Sequence, residues 1–369
     1  MNFRTRAGDA LAALDLGTTN CRLLIARQAR GRLRVIDSFS RIVRLGEGLQ
    51  ASGRLSEPAM LRTLDALAVC AEKLSHRRVD RARYVATEAC RRAANCGDFL
   101  VRVRERTGLV LEIIPMEEEA RLALAGCAPL LDPSRRMAIV FDIGGGSTEV
   151  LWVAVSSTGQ GIETKILDVI SLPFGVVSLT ERFADQPPTT RTFAEMIGVV
   201  RDGLAPFDAR WKIRQAIAAG GVQMLGSSGT VTTLAGIKLG LPRYERQHVD
   251  GAALDADEVR AISRRIVHMS PSQRAQEPCI GAGRADLMVA GCAILEGICR
   301  TWRVDRLRVA DRGVREGILA GLLQDEGNGL SPSTPSPPAL LASPLPPSTP
   351  PAKGTGDEFV SKEGRDGRA

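Results

Sequence analysis

Two short segments carry the residue types that handle phosphate. The first reads Leu14-Asp15-Leu16-Gly17-Thr18-Thr19-Asn20, the second Phe141-Asp142-Ile143-Gly144-Gly145-Gly146-Ser147-Thr148-Glu149. In each, an apolar run (Ala10 to Leu14; Met137 to Phe141) ends in an aspartate, turns through glycine and small hydroxyl residues, and resumes as Leu23-Leu24-Ile25 or Val150-Leu151-Trp152-Val153. The pattern predicts strand, tight turn, strand. Glycine removes the Cβ that would hold an anion away, so successive backbone N–H groups can point into one concavity, and Ser and Thr hydroxyls add donors. Such a loop suits phosphate, and its repetition points to a duplicated unit. Asp142 and Glu149 bracket the second loop on opposite arms of its hairpin. Two hard oxygen ligands there suit Mg²⁺; they suit equally an aspartate accepting turn hydrogen bonds beside a surface glutamate.

A third candidate is Glu117-Glu118-Glu119, which follows the apolar stretch Leu109 to Ile114 and Pro115 and opens a helical pattern. Acidic residues complement the positive end of a helix, a purely solvated role. Consecutive helical residues point about 100° apart, so only one of the three can face a given site squarely.

These residues must be carried by alternating strands and helices. Strand-like runs Leu11 to Leu14, Leu23 to Ala26, Leu33 to Ile36, Tyr84 to Ala86 and Val110 to Ile114 alternate with helical patterns Pro58 to Leu74, Cys90 to Arg106 and Glu117 to Leu130. That is a mixed α/β domain. After the turn Leu131-Asp132-Pro133-Ser134 the plan restarts, with helices Thr189 to Ala205, Asp255 to His268 and Gly283 to Thr301, a strand Leu307 to Ala310, and a last helix Val314 to Leu323. Nine of the 20 prolines fall between Pro332 and Pro351, mixed with Ser and Thr, so residues 327–369 are expected to form a disordered, partly polyproline II-like tail.

The length of 369 residues fits two domains, and 44% hydrophobic residues are ample for their cores. No apolar run approaches the ~18 residues that cross a bilayer, and the N-terminus is too polar for a signal peptide, so a cytoplasmic protein is expected without a membrane partner. The eight cysteines show no CxxC or Cys/His ligand spacing, which predicts reduced thiols without structural zinc. The net charge of +7 comes from 49 basic residues, only six of them lysine. Arginine pairs bidentately with phosphate oxygens, which fits a polyanionic substrate and fits an Arg-rich codon usage as well. Aromatic content of 4% without basic-aromatic interleaving argues against nucleic acid. Gly281-Ala282-Gly283-Arg284 lacks the third glycine and preceding strand of a dinucleotide site. With His76, His248 and His268 scattered, histidine chemistry is not expected.

The paired Asp-Gly hairpins resemble the actin, sugar kinase and 70-kDa chaperone superfamily, and the first loop by itself looks like the chaperone and sugar-kinase signature. The rest of the chain resembles the exopolyphosphatase / guanosine pentaphosphate phosphohydrolase (Ppx/GppA) family from about Ala10 to Leu323. Five motifs agree in order: Ala86 to Arg91 with Asn95 and Asp98-Phe99; Glu118-Glu119-Ala120-Arg121-Leu122; Asp142 to Glu149; Gly226-Ser227-Ser228-Gly229-Thr230; and Asp311 to Gly317. The resemblance implies an α/β fold of two ribonuclease H-like (actin-like ATPase) domains with an interdomain cleft. These are residues 9–132, which the last helix 314–323 can complete, and residues 133–325. It implies a hydrolase that cleaves terminal phosphoanhydride bonds of inorganic polyphosphate or guanosine pentaphosphate, and it allows a homodimer.

The resemblance also assigns roles. It selects Glu119 as general base, with Glu149 positioning water or metal; a carboxylate beside phosphate oxygens has its pKa raised toward useful values. It implies Asp142 and Glu149 as Mg²⁺ ligands, with Asp15 the equivalent carboxylate of the first hairpin. Arg91 resembles the family's phosphate clamp. Gly17, Thr18, Thr19 and Gly144, Gly145, Gly146, Ser147 would supply donors to terminal phosphates, and Gly226, Ser227, Ser228, Gly229 and Thr230 lie where the superfamily holds an adenosine or an extended phosphate chain. In the first loop the family's usual Gly-Ser-Asn-Ser is replaced by Gly17-Thr18-Thr19-Asn20, so an Asn contact passes to Thr19 or Asn20. The longer relatives' C-terminal helical domain has no counterpart here, which implies a short form. Two other classes stay open on these residues: a sugar or acetate kinase-like transferase, and a sensor of polyphosphate or alarmone without turnover.

Overall fold

The computed structural model describes residues 10–29, 32–159 and 161–327. The expected tail lies outside the described residues, apart from Gly327, which ends the last helix. The first sheet holds β1 (Ala10–Leu16), β2 (Asn20–Ala29), β3 (Arg32–Ile42), β4 (Arg81–Ala86) and β5 (Glu112–Ile113). Its order is β3-β2-β1-β4-β5: the first three strands form an antiparallel meander, and β4 and β5 add in parallel through helical crossovers.

The second sheet repeats that plan with β6 (Met137–Ile143), β7 (Thr148–Thr158), β8 (Gly161–Leu172), β9 (Val222–Ser227), β10 (Ala253–Leu254) and β11 (Leu307–Ala310). Its order is β10-β11-β9-β6-β7-β8, with β6, β7 and β8 as the antiparallel meander and β9 and β11 parallel. The central strands β1 and β6 are buried almost throughout (Ala10 to Leu14; Ala138 to Phe141), as expected of strands covered on both faces.

Helices cover both sheets. On the first, Met60, Leu64, Leu67, Cys70 and Leu74 of helix Glu57–His76 pack with Leu14, Leu23 and Phe99 on one face. On the other face, Leu11, Ala13, Leu24, Ala26 and Val85 meet Val314, Ile318, Leu319 and Leu322 of the last helix, Val314–Gly327. Helix Met116–Cys127 sits between the two sheets: Leu122 and Ala123 pack toward the first, while Ala120, Leu124 and Cys127 pack on Ala138, Val140, Leu151 and Leu225 of the second. The last helix crosses it at backbone contact. A Cβ on Gly317 would stand 1.9 Å from the Leu122 carbonyl oxygen, and one on Gly126 would stand 2.1 Å from that of Gly313.

Several boundaries differ from the sequence reading. The helix expected over Cys90 to Arg106 is two helices, Glu88–Arg92 and Cys96–Thr107. Asn95 is spent between them, accepting from Leu55 N at 2.8 Å and donating to Leu55 O at 3.0 Å. The Val110 to Ile114 strand shrinks to Glu112–Ile113. The helix expected from Gly283 starts at Met288, because Gly281 takes a left-handed φ of 73° and the following segment is held by Arg44 at the Gly283 carbonyl. All eight cysteines are buried and free. Among the described residues no helix is long and apolar enough to cross a membrane.

Candidate active site

The two glycine loops are built alike. Gly17 N donates to Asn20 O at 2.9 Å and Gly144 N to Ser147 O at 3.0 Å, closing equivalent turns between β1 and β2 and between β6 and β7. The loops abut each other. A Cβ on Gly145 would stand 2.1 Å from Thr19 Oγ1 and 2.9 Å from Thr18 Cβ, so this glycine is required by the approach of the other loop. Thr19 Oγ1 and Asn20 Oδ1 are buried without a hydrogen-bond partner. Orphaned polar atoms between two glycine turns are an unusual cost to leave in place unless a ligand meets them.

The register puts the acidic residues opposite their partners. Asp142 faces Glu149 across β6 and β7, and the corresponding position in the first hairpin pairs Asp15 with Arg22. The repeat is thus asymmetric, with a cation where its copy has a carboxylate. Asp15, Arg22, Asp142, Glu149, Thr18, Ser147 and Glu119 line one cleft.

The three helical glutamates separate as their angular spacing requires. Glu117 is exposed. Hydrogen bonds from Arg121 and then Arg83 hold Glu118 down at about 2. Glu119 turns into the cleft, where burial, then the Glu149 charge, push its pKa up to about 8 against the pull of Arg91. Burial also lifts Asp142 to about 7 against the opposing Arg22 charge, and Glu149 to about 7 although Ser147 and Ser171 donate to it; Ser171 Oγ lies 2.9 Å from Glu149 Oε1. Asp15 is raised by burial as well.

Four carboxylates with raised pKa values in one cleft are a site that a cation would relieve. Among the described residues no three His, Cys, Asp or Glu side chains close into a ready-made metal cage. The donor set still fits Mg²⁺, which is held by one or two carboxylates together with waters and substrate phosphates; Asp142, Glu149 and Asp15 are the candidates.

Not every residue singled out from the sequence lines this cleft. Arg91 stands behind Glu119, donating from Nη1 to Glu119 Oε2 at 2.7 Å and to the Ile114 carbonyl at 3.0 Å, and from Nη2 to Glu88 Oε2 at 3.0 Å. Gly226 lies within β9, where a Cβ would stand 2.5 Å from Phe141 Cζ; sheet packing, not a ligand, demands this glycine. Ser227 Oγ donates to the Arg312 carbonyl at 3.0 Å and faces a neighbouring cavity. Ser228, Gly229 and Thr230 do reach the cleft, at the start of helix Gly229–Lys238. Arg22, Glu88 and Arg284 also line it and escaped the sequence reading. Arg22 was findable, since it follows Asp15 at the offset at which Glu149 follows Asp142.

Residues 24–326 match the model of the Ppx/GppA phosphatase family. The chain belongs to the Ppx/GppA phosphatase family. Exopolyphosphatase 2 of Mycobacterium tuberculosis is 31% identical over 326 residues, covering 85% of this chain and 98% of that protein. The crystal structure of the Aquifex aeolicus Ppx/GppA family member superposes with a TM-score of 0.70 at 32% identity, covering 86% of this chain and 98% of the other. An exopolyphosphatase from Cytophaga hutchinsonii, 23% identical with a TM-score of 0.75 over 86% of this chain and 98% of its own, shares the fold. The α/β fold with two repeated sheets is therefore the actin-like fold of the Ppx/GppA proteins.

Proposed function

We propose that this Ppx/GppA protein is an exopolyphosphatase that cleaves the terminal phosphoanhydride bond of inorganic polyphosphate, in a cleft between lobes 9–132 and 133–325. The observation that carries this reading is the convergence of Glu119, Asp142 and Glu149 beside two abutting glycine loops. The name of the similar Mycobacterium tuberculosis protein supports the substrate class.

In this reading the terminal phosphoryl group sits against the N–H groups of Thr18 and Thr19 and of Gly145 to Ser147, with the Thr18, Thr19 and Ser147 hydroxyls adding donors. Fixed donors aimed at developing charge are most of what phosphoryl transfer requires. Glu119 accepts a proton from a water attacking in line; the new P–O bond forms as the bridging P–O bond breaks, and orthophosphate leaves with the shortened chain. A divalent cation held by Asp142, Glu149 and Asp15 would supply charge neutralisation for the phosphoryl oxygens. Glu119 must be ionised to act as base, and its bond from Arg91 favours that form. Arg91 here acts through Glu119.

Phosphate release from long polyphosphate, short polyphosphate and guanosine pentaphosphate, each with Mg²⁺, tests the reading. Release from polyphosphate that disappears in Glu119→Gln supports it, and release from none of the three overturns it. Release from guanosine pentaphosphate alone would move the substrate to the nucleotide.

A further inference from the structure

Helix Met288–Thr301 begins at the catalytic cleft, where Leu287 and Met288 form part of the wall, and ends at a separate cavity of about 540 Å³, which Arg300 and Thr301 help to line. Its 14 residues span roughly 20 Å, so the two walls stand about that far apart, and among the described residues none lines both. Four arginines line the second cavity: Arg201 from helix Thr190–Trp211, Arg214 from helix Ile213–Ala218, Arg300 from the last turn of helix Met288–Thr301, and Arg303 just beyond it.

Two of the four are aimed by carboxylates buried beneath them. Asp208, 3% exposed, accepts from Trp302 Nε1 at 2.9 Å and from Arg214 Nε at 2.6 Å. Trp302 is itself fully buried, edge-on to Phe207 with ring centroids 6.3 Å apart. Arg214 N also donates to Asp208 Oδ1 at 3.1 Å, a contact that depends on Lys212, whose left-handed φ of 49° turns the chain sharply between the two helices. Glu296, 2% exposed, accepts in the same way from Arg300 Nε at 2.9 Å and from its Nη2. In both arginines the pairing leaves an outer edge free: Nη1 and Nη2 of Arg214 and Nη1 of Arg300 carry no hydrogen bond among the described residues. Arg201 and Arg303 are exposed and make neither a hydrogen bond nor an ion pair there.

Burying a carboxylate is costly, and pairing it with a cation that stands in solvent recovers little of the cost. Asp208 and Glu296 are nevertheless paired with arginines whose side chains are 70% and 38% exposed, and Glu296 Oε2 has no partner at all. What the arrangement achieves is to hold donor edges outward into one space. Apart from Asp208, the only carboxylate in the described lining is the exposed Asp202, so free donors there far outnumber acceptors. A guanidinium edge matches two oxygens of a phosphoryl group, and a cavity of this size admits several such groups.

We propose that this cavity is a second, non-catalytic binding site for a condensed-phosphate anion, held by Arg201, Arg214, Arg300 and Arg303. It is independent of the phosphohydrolase reading of the cleft, and either can hold without the other.

The test follows amide exchange in the full chain carrying Glu119→Gln, which prevents turnover, as tripolyphosphate is titrated in. Slower exchange at residues 213–218 and 300–304 reports the cavity and slower exchange at residues 144–147 the cleft, so the two readings fail separately. Tripolyphosphate should protect the cavity segments. Arg201→Gln and Arg303→Gln, which remove side chains bonded to nothing else, should each raise the midpoint of that protection about 10- to 100-fold, the loss expected for a charge-assisted contact. Arg54→Gln, at an exposed arginine of the first lobe, should leave it unchanged. Orthophosphate, too small to engage all four arginines, and citrate, which carries its charge on carboxylates, should both need much higher concentrations. Absence of protection at the cavity, or a midpoint indifferent to both arginine variants, overturns the site. Orthophosphate or citrate protecting as well as tripolyphosphate overturns its assignment to a condensed phosphate.

Discussion

Loading the cleft with a divalent cation should expel protons, and the number follows from the acidic cluster. At pH 7, before a cation binds, Glu119 at about 8 holds about nine-tenths of a proton, while Asp142 and Glu149 at about 7 hold about half each, so the three keep about two protons. A bound Mg²⁺ favours the ionised form of every carboxylate near it, so these protons are released on binding. Titrating Mg²⁺ into the protein by calorimetry, in buffers of different ionisation enthalpy, reads the count directly. The expected release is about two at pH 7 and falls towards zero by about pH 9, where the free protein has already lost them. The sign extends to stability. These carboxyls have folded pKa values above their ordinary 3.8 to 4.5, so the folded state binds more protons in the intervening window. Their contribution is complete at acid pH and is lost as pH rises through about 7 to 8. Mg²⁺ should therefore raise Tm more at pH 8 than at pH 6. Proton release of zero at pH 7, or proton uptake, would refute the picture of a cluster poised for a cation.

Three substitutions probe other parts of the site. Glu119→Gln should lower kcat for phosphate release by about 10²- to 10⁴-fold with little change in KM, the range for removing a general base; steady-state phosphate release measures it, and an undiminished kcat would remove Glu119 from that role. Gly145→Ala should force the two loops apart by roughly 1 Å, since its Cβ would stand 2.1 Å from Thr19 Oγ1, and should cost about 10²-fold in kcat/KM. Recovery of part of that loss by adding Thr19→Ala would locate the clash. Gly317→Ala, whose Cβ would stand 1.9 Å from the Leu122 carbonyl, should destabilise the chain by about 3 kcal/mol, read as a lower urea midpoint in an equilibrium melt.

The first two strands of each meander and both glycine turns were legible because their pattern is local: an apolar run, Asp, Gly and an apolar run specify a hairpin without reference to the rest of the chain; the third strand of the second meander, Gly161–Leu172, carries no such pattern and was missed. The charge partners were not. Arg22 stands just ahead of the apolar Leu23-Leu24-Ile25-Ala26 stretch of its strand, and only the comparison of one hairpin with its copy marks it. Arg284 lies in Gly281-Ala282-Gly283-Arg284, where the glycine at 283 serves close approach to Ile42 and its neighbour enters the cleft. The break at Ala93 to Asn95 was invisible for a related reason, since Asn95 is consumed by the Leu55 backbone, 40 residues away. The position of Arg91 behind Glu119 likewise depends on a bond across 28 residues. Residue type announced a polar or charged group in each case, and tertiary contacts decided what it faced.

The packing of the last helix also dictates an order of events during synthesis. Leu11, Ala13, Leu24 and Ala26 emerge early, but their covering residues, Val314, Ile318, Leu319 and Leu322, are made almost 300 residues later. Until then one face of the first sheet has only Leu122 and Ala123 of helix Met116–Cys127 to cover it, and closing so long a loop is slow. The half of the chain made first is therefore the half that finishes folding last. The helix bearing Glu119 is locked against its partner only at that final step, so catalytic competence and completion of the fold coincide.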